Sequence, residues 1–315
     1  MLKNKDMAIY FSLICVTFLW GTSFAASKIA LHELSPLNLA GFRFIAAAII
    51  FGSILAVKKS HIYQEDIPQL AIMGFLAITS YFYIQYTGLL YTTSINASLL
   101  LATSPVWTTI AGIFIGQEKA NHKAIGGILL AFLGVTIVIS RGKLFSLFMS
   151  ETLLGDMLML LNAIVWAIFT LYGKKIMSKY SPFSAVAYMN IFGALMLLPI
   201  ILIPNPLNPT SAIEQLSSIT LPTIAAVVYL AALCSVYAYY TWYRGIEKIG
   251  VVRTASFYYI SPLFALLAGI WLLNETITGF LLLGGITVII GVYLTNTSKF
   301  NTTNSKAAEG SGCDG

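Results

Sequence analysis

The chain has 315 residues, of which 58% are hydrophobic and only 10% are charged, with a mean hydropathy of +0.83 and a net charge of +6. A soluble domain carries about 25% charged residues, so this chain has too few to coat a water-exposed globule. The basic balance does not point to nucleic acid either, because the lysines fall in short clusters between apolar runs, the pattern of membrane-flanking loops. Cys15, Cys234 and Cys313 are too scattered for a disulfide framework or a metal motif.

A membrane-spanning helix needs roughly 20 mostly apolar residues, and ten such stretches follow one another with short loops between them. The first, at about 8–29, contains "FLWGTSFAASKIA". Trp20 lies near its mid-depth, where a tryptophan needs a partner for its N–H and suits either a cavity wall or core packing. Lys28 lies about 20 residues, or ~30 Å, beyond the start, so it can reach the far interface by snorkelling or line a cavity. The second span, 36–57, carries Arg43 about 7 residues, or ~10 Å, from its first end. Arg43 can snorkel, pair with Glu33, or offer its guanidinium fork to a substrate carboxylate. The third span, 67–87, ends in "YFYIQY", where an aromatic belt is the default and Tyr83 and Gln85 are the cavity candidates.

The fourth span, 93–115, is interrupted by Ser104-Pro105, and a proline there frees the carbonyl four residues back, at Leu101. In lipid that carbonyl must be satisfied or face a cavity, so Ser104 is a substrate candidate and Pro105 a kink or hinge. Glu118 reads as a solvated loop carboxylate ahead of the fifth span, 122–140. The sixth span, 153–175, has Asp156 near its start, Trp166 at mid-depth and Lys174 near its end. The seventh, 183–203, is followed by the longest loop, with Pro204, Pro206 and Pro209. The eighth, 221–243, ends in "YAYYTWY" with Tyr240 as the candidate, and the ninth, 251–273, carries Tyr258, Tyr259 and a second mid-span proline, Pro262. Glu275 mirrors Glu118 before the tenth span, 278–295. Glycines at 112 and 116, 126–127 and 284–285 suit close helix packing. The polar tail, 299–315, is expected to be disordered, leaving open that it is an appended, non-native segment.

Of the 18 Lys and Arg residues, fourteen fall on the side of the N-terminus, while Arg141 and Lys143 alone fall opposite; Lys28 and Arg43 lie in or near spans. That bias puts both termini in the cytoplasm, with the chain integral to the cytoplasmic membrane and the lipid bilayer as its surroundings. Lys3 and Lys5, an apolar stretch and Ser23-Phe24-Ala25 also resemble a cleavable secretory signal. Internal repetition argues that the segment stays. At an offset of 146, Trp20 matches Trp166, Lys28 matches Lys174 and Ser35-Pro36 matches Ser181-Pro182. At an offset of 157, Tyr83 matches Tyr240, Gly88 matches Gly245, Ser104-Pro105 matches Ser261-Pro262, Gly112 matches Gly269 and Glu118 matches Glu275. Residues 1–146 and 147–298 therefore read as two five-helix repeats. An odd number of spans per repeat gives the second the opposite polarity, so the expected fold is an all-α polytopic membrane protein with ten transmembrane helices as two inverted repeats.

These features carry a family resemblance: Trp20-Gly21 with Lys28 downstream, "PLNLAGFR" over 36–43, the two Ser-Pro pairs, and the glutamates ahead of "QEKANHKAIGGILLAFLG" and "NETITGFLLLGGITVIIG". Over about residues 8–296 the chain resembles an EamA-type ten-helix transporter of the drug/metabolite transporter superfamily. The resemblance implies transport, usually export, of small metabolites such as amino acids. Met189 stands where the first repeat has Arg43, so any role for that arginine is one-sided.

A secondary transporter moving amino acids or related amphipathic solutes by alternating access is the expected function, with no cofactor, metal or catalytic residue. A carrier of nucleosides or organic cations is the nearest alternative. An intramembrane enzyme would need a mid-membrane nucleophile or metal ligands, and a channel would more naturally be a symmetric oligomer; the residues offer neither. No Asp, Glu or His lies mid-span to name a coupling ion. A monomer and a weak homodimer both fit.

Overall fold

The computed structural model describes residues 4–59, 61–115, 122–141, 151–249, 254 and 257–309. Within them ten apolar helices follow in the expected order: α1 (Asn4–Ala30), α2 (Pro36–Lys58), α3 (Gln64–Tyr91), α4 (Ser94–Phe114), α5 (His122–Ser140), α6 (Leu153–Lys179), α7 (Pro182–Leu202), α8 (Leu221–Ile249), α9 (Tyr258–Leu273) and α10 (Gly279–Thr295). The first eight are long and apolar enough to cross a membrane, and α9 and α10 are shorter apolar helices. The chain is an all-α polytopic membrane protein. The helix that starts at Gly279 continues to Glu309, so residues 299–309 are helical where the polar composition suggested disorder. Glu118, Cys313 and the side chain of Lys174 lie outside the described residues.

Sequence fixes the helix ends locally. Ser35 and Ser181 each accept the N–H three residues on, from Asn38 (3.3 Å) and Ser184 (3.2 Å), with Pro36 and Pro182 at the first helical position. Thr93 does the same for α4 through Asn96 N–H (3.1 Å). Lys59 closes α2 and Asn274 closes α9, both in the left-handed region at φ 50° and 53°.

Packing is symmetric under exchange of each helix with the one five places on. α1 lies on α9 as α6 lies on α4; α1 lies on α8 as α6 lies on α3; α2 pairs with α7 and α5 with α10. Local irregularities follow the same exchange. α3 widens to a π turn at Phe75–Ser80 and α8 at Tyr229–Tyr237. α4 breaks at Ala102–Thr103 before Ser104-Pro105, and α9 tightens to a 3₁₀ turn at Tyr258–Ile260 before Ser261-Pro262. The carbonyl that Pro105 frees is taken up at once: Ser104 Oγ donates to Leu101 O at 2.6 Å.

α5 and α10 meet through small residues. A Cβ on Gly134 would lie 2.5 Å from Val288 N, and one on Gly127 would lie 2.6 Å from Thr295 N. Backbone cannot yield as a side chain can, so replacing Gly134 by leucine should lower stability by at least about 1–3 kcal/mol. Gly126, with nothing within 4 Å of its Cβ position, should accept alanine without loss. Thermal unfolding of the two purified variants in detergent separates these outcomes.

Candidate functional site

Arg43 is 3% exposed, yet no carboxylate pairs with it among the described residues. Its Nε donates to Ser235 Oγ at 2.9 Å and its Nη1 to Tyr86 Oη at 2.8 Å. Its guanidinium carbon sits 4.6 Å from the Phe82 ring centre and 4.9 Å from that of Phe44. These are neutral partners, and two of the five N–H groups of the fork are used. The π turn of α8 shapes this pocket. It lets Ser235 Oγ donate to Leu230 O, five residues back (3.0 Å), while still receiving Arg43. The same turn presents Cys234 O to Trp20 Nε1 at 3.0 Å, which supplies the partner a mid-depth indole needs.

Aromatic rings surround this centre. Trp20 lies 4.9 Å from Trp242, 5.7 Å from Tyr239 and 6.0 Å from Tyr258, centre to centre. Tyr81 packs at a tilt against Trp166 at 5.3 Å, and Trp166 against Phe169 at 5.0 Å. Tyr81, Tyr86, Tyr239 and Cys234 are electrostatic neighbours of Arg43. Of the residues singled out from sequence, the structure thus gathers Trp20, Arg43, Trp166 and Tyr258. Gln85 is buried on α3 beside them, with Oε1 unpartnered. Tyr83 and Tyr259 are half-buried and pack against the core. Ser104 spends its proton on Leu101 O. Tyr240 is apart: it is 38% exposed, edge-on to Phe183 and near the charges of Lys58 and Arg244. Tyr81, Tyr86, Ser235, Tyr239 and Trp242 complete the centre and escaped the sequence reading. The signal for four of them was present, since "YFYIQY" and "YAYYTWY" are aromatic on every face and only the π turns decide which ring points inward.

Two polar layers bound the centre. We call the side holding the α1–α2 loop the upper face. There Lys28 Nζ donates to Thr92 O at 2.6 Å and lies 3.7 Å from Glu275 Oε1. Glu275 is not the solvated loop carboxylate expected. Its side chain is 7% exposed and accepts from Ser94 N (2.7 Å), Ser94 Oγ (3.0 Å) and Ile95 N (3.1 Å), so it caps α4 rather than its own helix. Asp156 is buried and receives Thr92 Oγ1, Asn96 Nδ2 (3.2 Å) and Thr152 Oγ1 (2.9 Å). Glu33 does not reach Arg43. It accepts from Thr220 N (2.8 Å) and Thr220 Oγ1 (2.7 Å) at the start of α8, and those bonds hold its carboxyl below the ordinary 4.5. On the lower face Lys179 pairs with Asp66 (2.7 Å) and Glu65 (3.1 Å) at the start of α3, bonds that raise its ammonium above the ordinary 10.5. Glu33 and Lys179 occupy equivalent positions at the offset of 146, so each half clamps the other on opposite faces by different chemistry. Among the described residues no group of His, Cys, Asp and Glu could hold a metal.

A polytopic helical bundle enclosing a buried, aromatic-walled cation has the form of a membrane transporter. The sequence model of the "EamA-like transporter family" matches this chain twice, over residues 7–140 and 153–297. The chain belongs to the EamA-like transporter family, and it is a transporter rather than an enzyme. An "Uncharacterized transporter" of Archaeoglobus fulgidus is 34% identical over 91% of this chain and 97% of its own length. A "Probable amino-acid metabolite efflux pump" of Salmonella typhimurium is 30% identical over 90% of this chain and 93% of its own. A solved structure described as "Crystal structure of protein" shares the fold, with a TM-score of 0.60 at 14% identity over 91% of this chain and 97% of that one.

The two clamps should respond to pH in opposite directions. Glu33 has a lowered value in the folded state, so its contribution is whole above pH 4.5 and fades as pH falls through that lowered value. Lys179 has a raised value, so its contribution is whole below pH 10.5 and fades only as pH rises beyond it. Thermal unfolding across pH should show Glu33→Gln flattening the acid limb and Lys179→Met flattening the alkaline limb.

Proposed function

We propose that the protein exports small carboxylate-bearing metabolites, amino acids and related amphipathic solutes, by alternating access across the cytoplasmic membrane. Residues 1–146 and 147–298 act as two inverted halves, with both termini in the cytoplasm and the upper face outside. The observation that carries this reading is Arg43, a buried cation held by hydroxyls and ring faces with no anion of its own among the described residues. Leaving a desolvated charge uncompensated is costly, and such residues inside membranes mark substrate paths. A carboxylate entering the site supplies the missing charge and engages the fork in two places. Trp20, Tyr81, Tyr239 and Tyr258 offer faces for the apolar part of the solute. A Salmonella typhimurium and an Escherichia coli relative, 30% and 29% identical, are each described as a "Probable amino-acid metabolite efflux pump", which supports both the cargo and the direction.

The experiment is release of labelled amino acids from liposomes holding the protein, with and without a pH gradient. The wild-type protein should release one or a few of them, and Arg43→Gln should slow that release at least tenfold at unchanged protein folding. Arg43→Lys should fall near it, because a point charge does not replace the fork. Release indifferent to Arg43, or a preference for nucleosides or organic cations over carboxylates, would overturn the reading.

A further inference from the structure

At about the depth of Arg43, α3 and α6 each bring a buried amide whose oxygen has no partner among the described residues. Asn162 on α6 is 0% exposed, and among the described residues neither its oxygen nor its nitrogen has a partner. Gln85 on α3 is 5% exposed, and its Oε1 has none. Buried amides are nearly always bonded, so two orphans on neighbouring helices call for an explanation.

Their placement supplies one. α3 and α6 run antiparallel and touch along one stripe of each. A Cβ on Gly88 would lie 3.3 Å from Gly155 O and 3.2 Å from Leu158 Cβ, and Tyr81 packs against Trp166. Between those contacts the stripe on α3 passes through Gln85 and the stripe on α6 through Asn162, by steps of three and four residues. The two amides are therefore level, with the Gly88–Gly155 contact on one side and the Tyr81–Trp166 pair on the other. Depth agrees with Arg43. At 1.5 Å per residue Arg43 lies ~10 Å, Gln85 ~9 Å and Asn162 ~14 Å from the upper ends of their helices. Tyr81 belongs to both groups, being on the Gln85 stripe and an electrostatic neighbour of Arg43.

We infer that Gln85 and Asn162 form a receiving site for the ammonium group of a zwitterionic solute whose carboxylate sits on Arg43. An ammonium has three donors and no acceptor, which suits two amide oxygens with free lone pairs and the ring face of Tyr81 or Trp166. The site would make the protein choose amino acids over plain carboxylates of the same shape. This inference rests on Arg43 binding the carboxylate, and the experiment keeps the two apart.

Titration calorimetry of the purified protein in detergent compares phenylalanine with 3-phenylpropionate and leucine with 4-methylpentanoate, each acid lacking only the ammonium. The wild-type protein should bind at least one amino acid ten or more times tighter than its acid, since a site built to bond a donor rejects the analogue without it. Asn162→Leu and Gln85→Met should bring that ratio near one while the affinity for the acid stays within threefold. Arg43→Gln should weaken both ligands of the pair. Asn190→Leu is the control: Asn190 is also buried with its amide unpartnered, but it sits on α7, and the ratio should stay at the wild-type value. Unliganded Asn162→Leu should melt no lower than wild type, whereas an amide that served only structure would cost stability when removed. A ratio unchanged by either substitution, or a wild-type protein that needs Arg43 yet binds amino acid and acid alike, overturns the inference and leaves the Arg43 reading standing. Binding of neither pair overturns both.

Discussion

A guanidinium buried in a membrane-spanning bundle is costly unless groups of the protein itself hold it. Here the holding group is the π turn of α8. A regular helix spends each carbonyl on its own backbone, while the wider turn at Tyr229–Tyr237 leaves Cys234 O for Trp20 and places Ser235 for Arg43. Three helices from both halves thereby converge on one side chain: α2 brings Arg43, α3 brings Tyr86 and Phe82, and α8 brings Ser235. The aromatic rings around it then follow, because ring faces are the one apolar surface that tolerates a nearby cation well.

The polar layers above and below have a different logic. On the upper face Glu275 spends its carboxylate on the N-terminus of α4, and Lys28 lies against both the carboxylate and the Thr92 carbonyl. The turn between α9 and α10 is thus tied to the turn between α3 and α4 through a helix end. On the lower face the tie between Lys179 and the start of α3 is an exposed ion pair, which water screens. The two faces are therefore closed by bonds of unequal strength, one buried and charge-assisted and the other solvated.

Much of this was legible in the amino-acid order. Hydrocarbon thickness dictates span length, so α1 to α7 lie within four residues of their expected bounds, while α8 runs six residues past its expected end and α9 is described as a helix from Tyr258 rather than 251. Two constant registers in the sequence foreshadow the matched π turns and matched Ser-Pro breaks. Trp20, Trp166 and Arg43 stood out because each is conspicuous at its depth. What stayed hidden depends on phase and on distant pairing. In "YFYIQY" the residues shown beside Arg43 are Tyr81, Phe82 and Tyr86, and in "YAYYTWY" it is Tyr239 rather than Tyr240. A π turn just upstream rotates every later side chain, and no periodicity in so uniformly aromatic a run reports it. Glu275 capping a helix some 180 residues away is a tertiary fact with no local signature. Whether the carbonyl that Pro105 frees is satisfied or faces a cavity stayed open in the sequence because the remedy, the hydroxyl of its own neighbour Ser104, is a matter of rotamer.

The chain carries arginine in one half and Met189 at the matching place in the other. Two states that would otherwise be mirror images are then inequivalent, since only one half carries the charge. Such a carrier can be fast in one direction and slow in the other, and it can rest with one face preferred when empty. It cannot, on that account alone, build a gradient: detailed balance requires that the forward and backward cycles cancel at equal concentrations however lopsided the intermediates are. On the proposed reading the arginine makes the protein a rectifier of rate, and uphill work must come from a second species moving through the same bundle, since the solute's own gradient drives it only downhill.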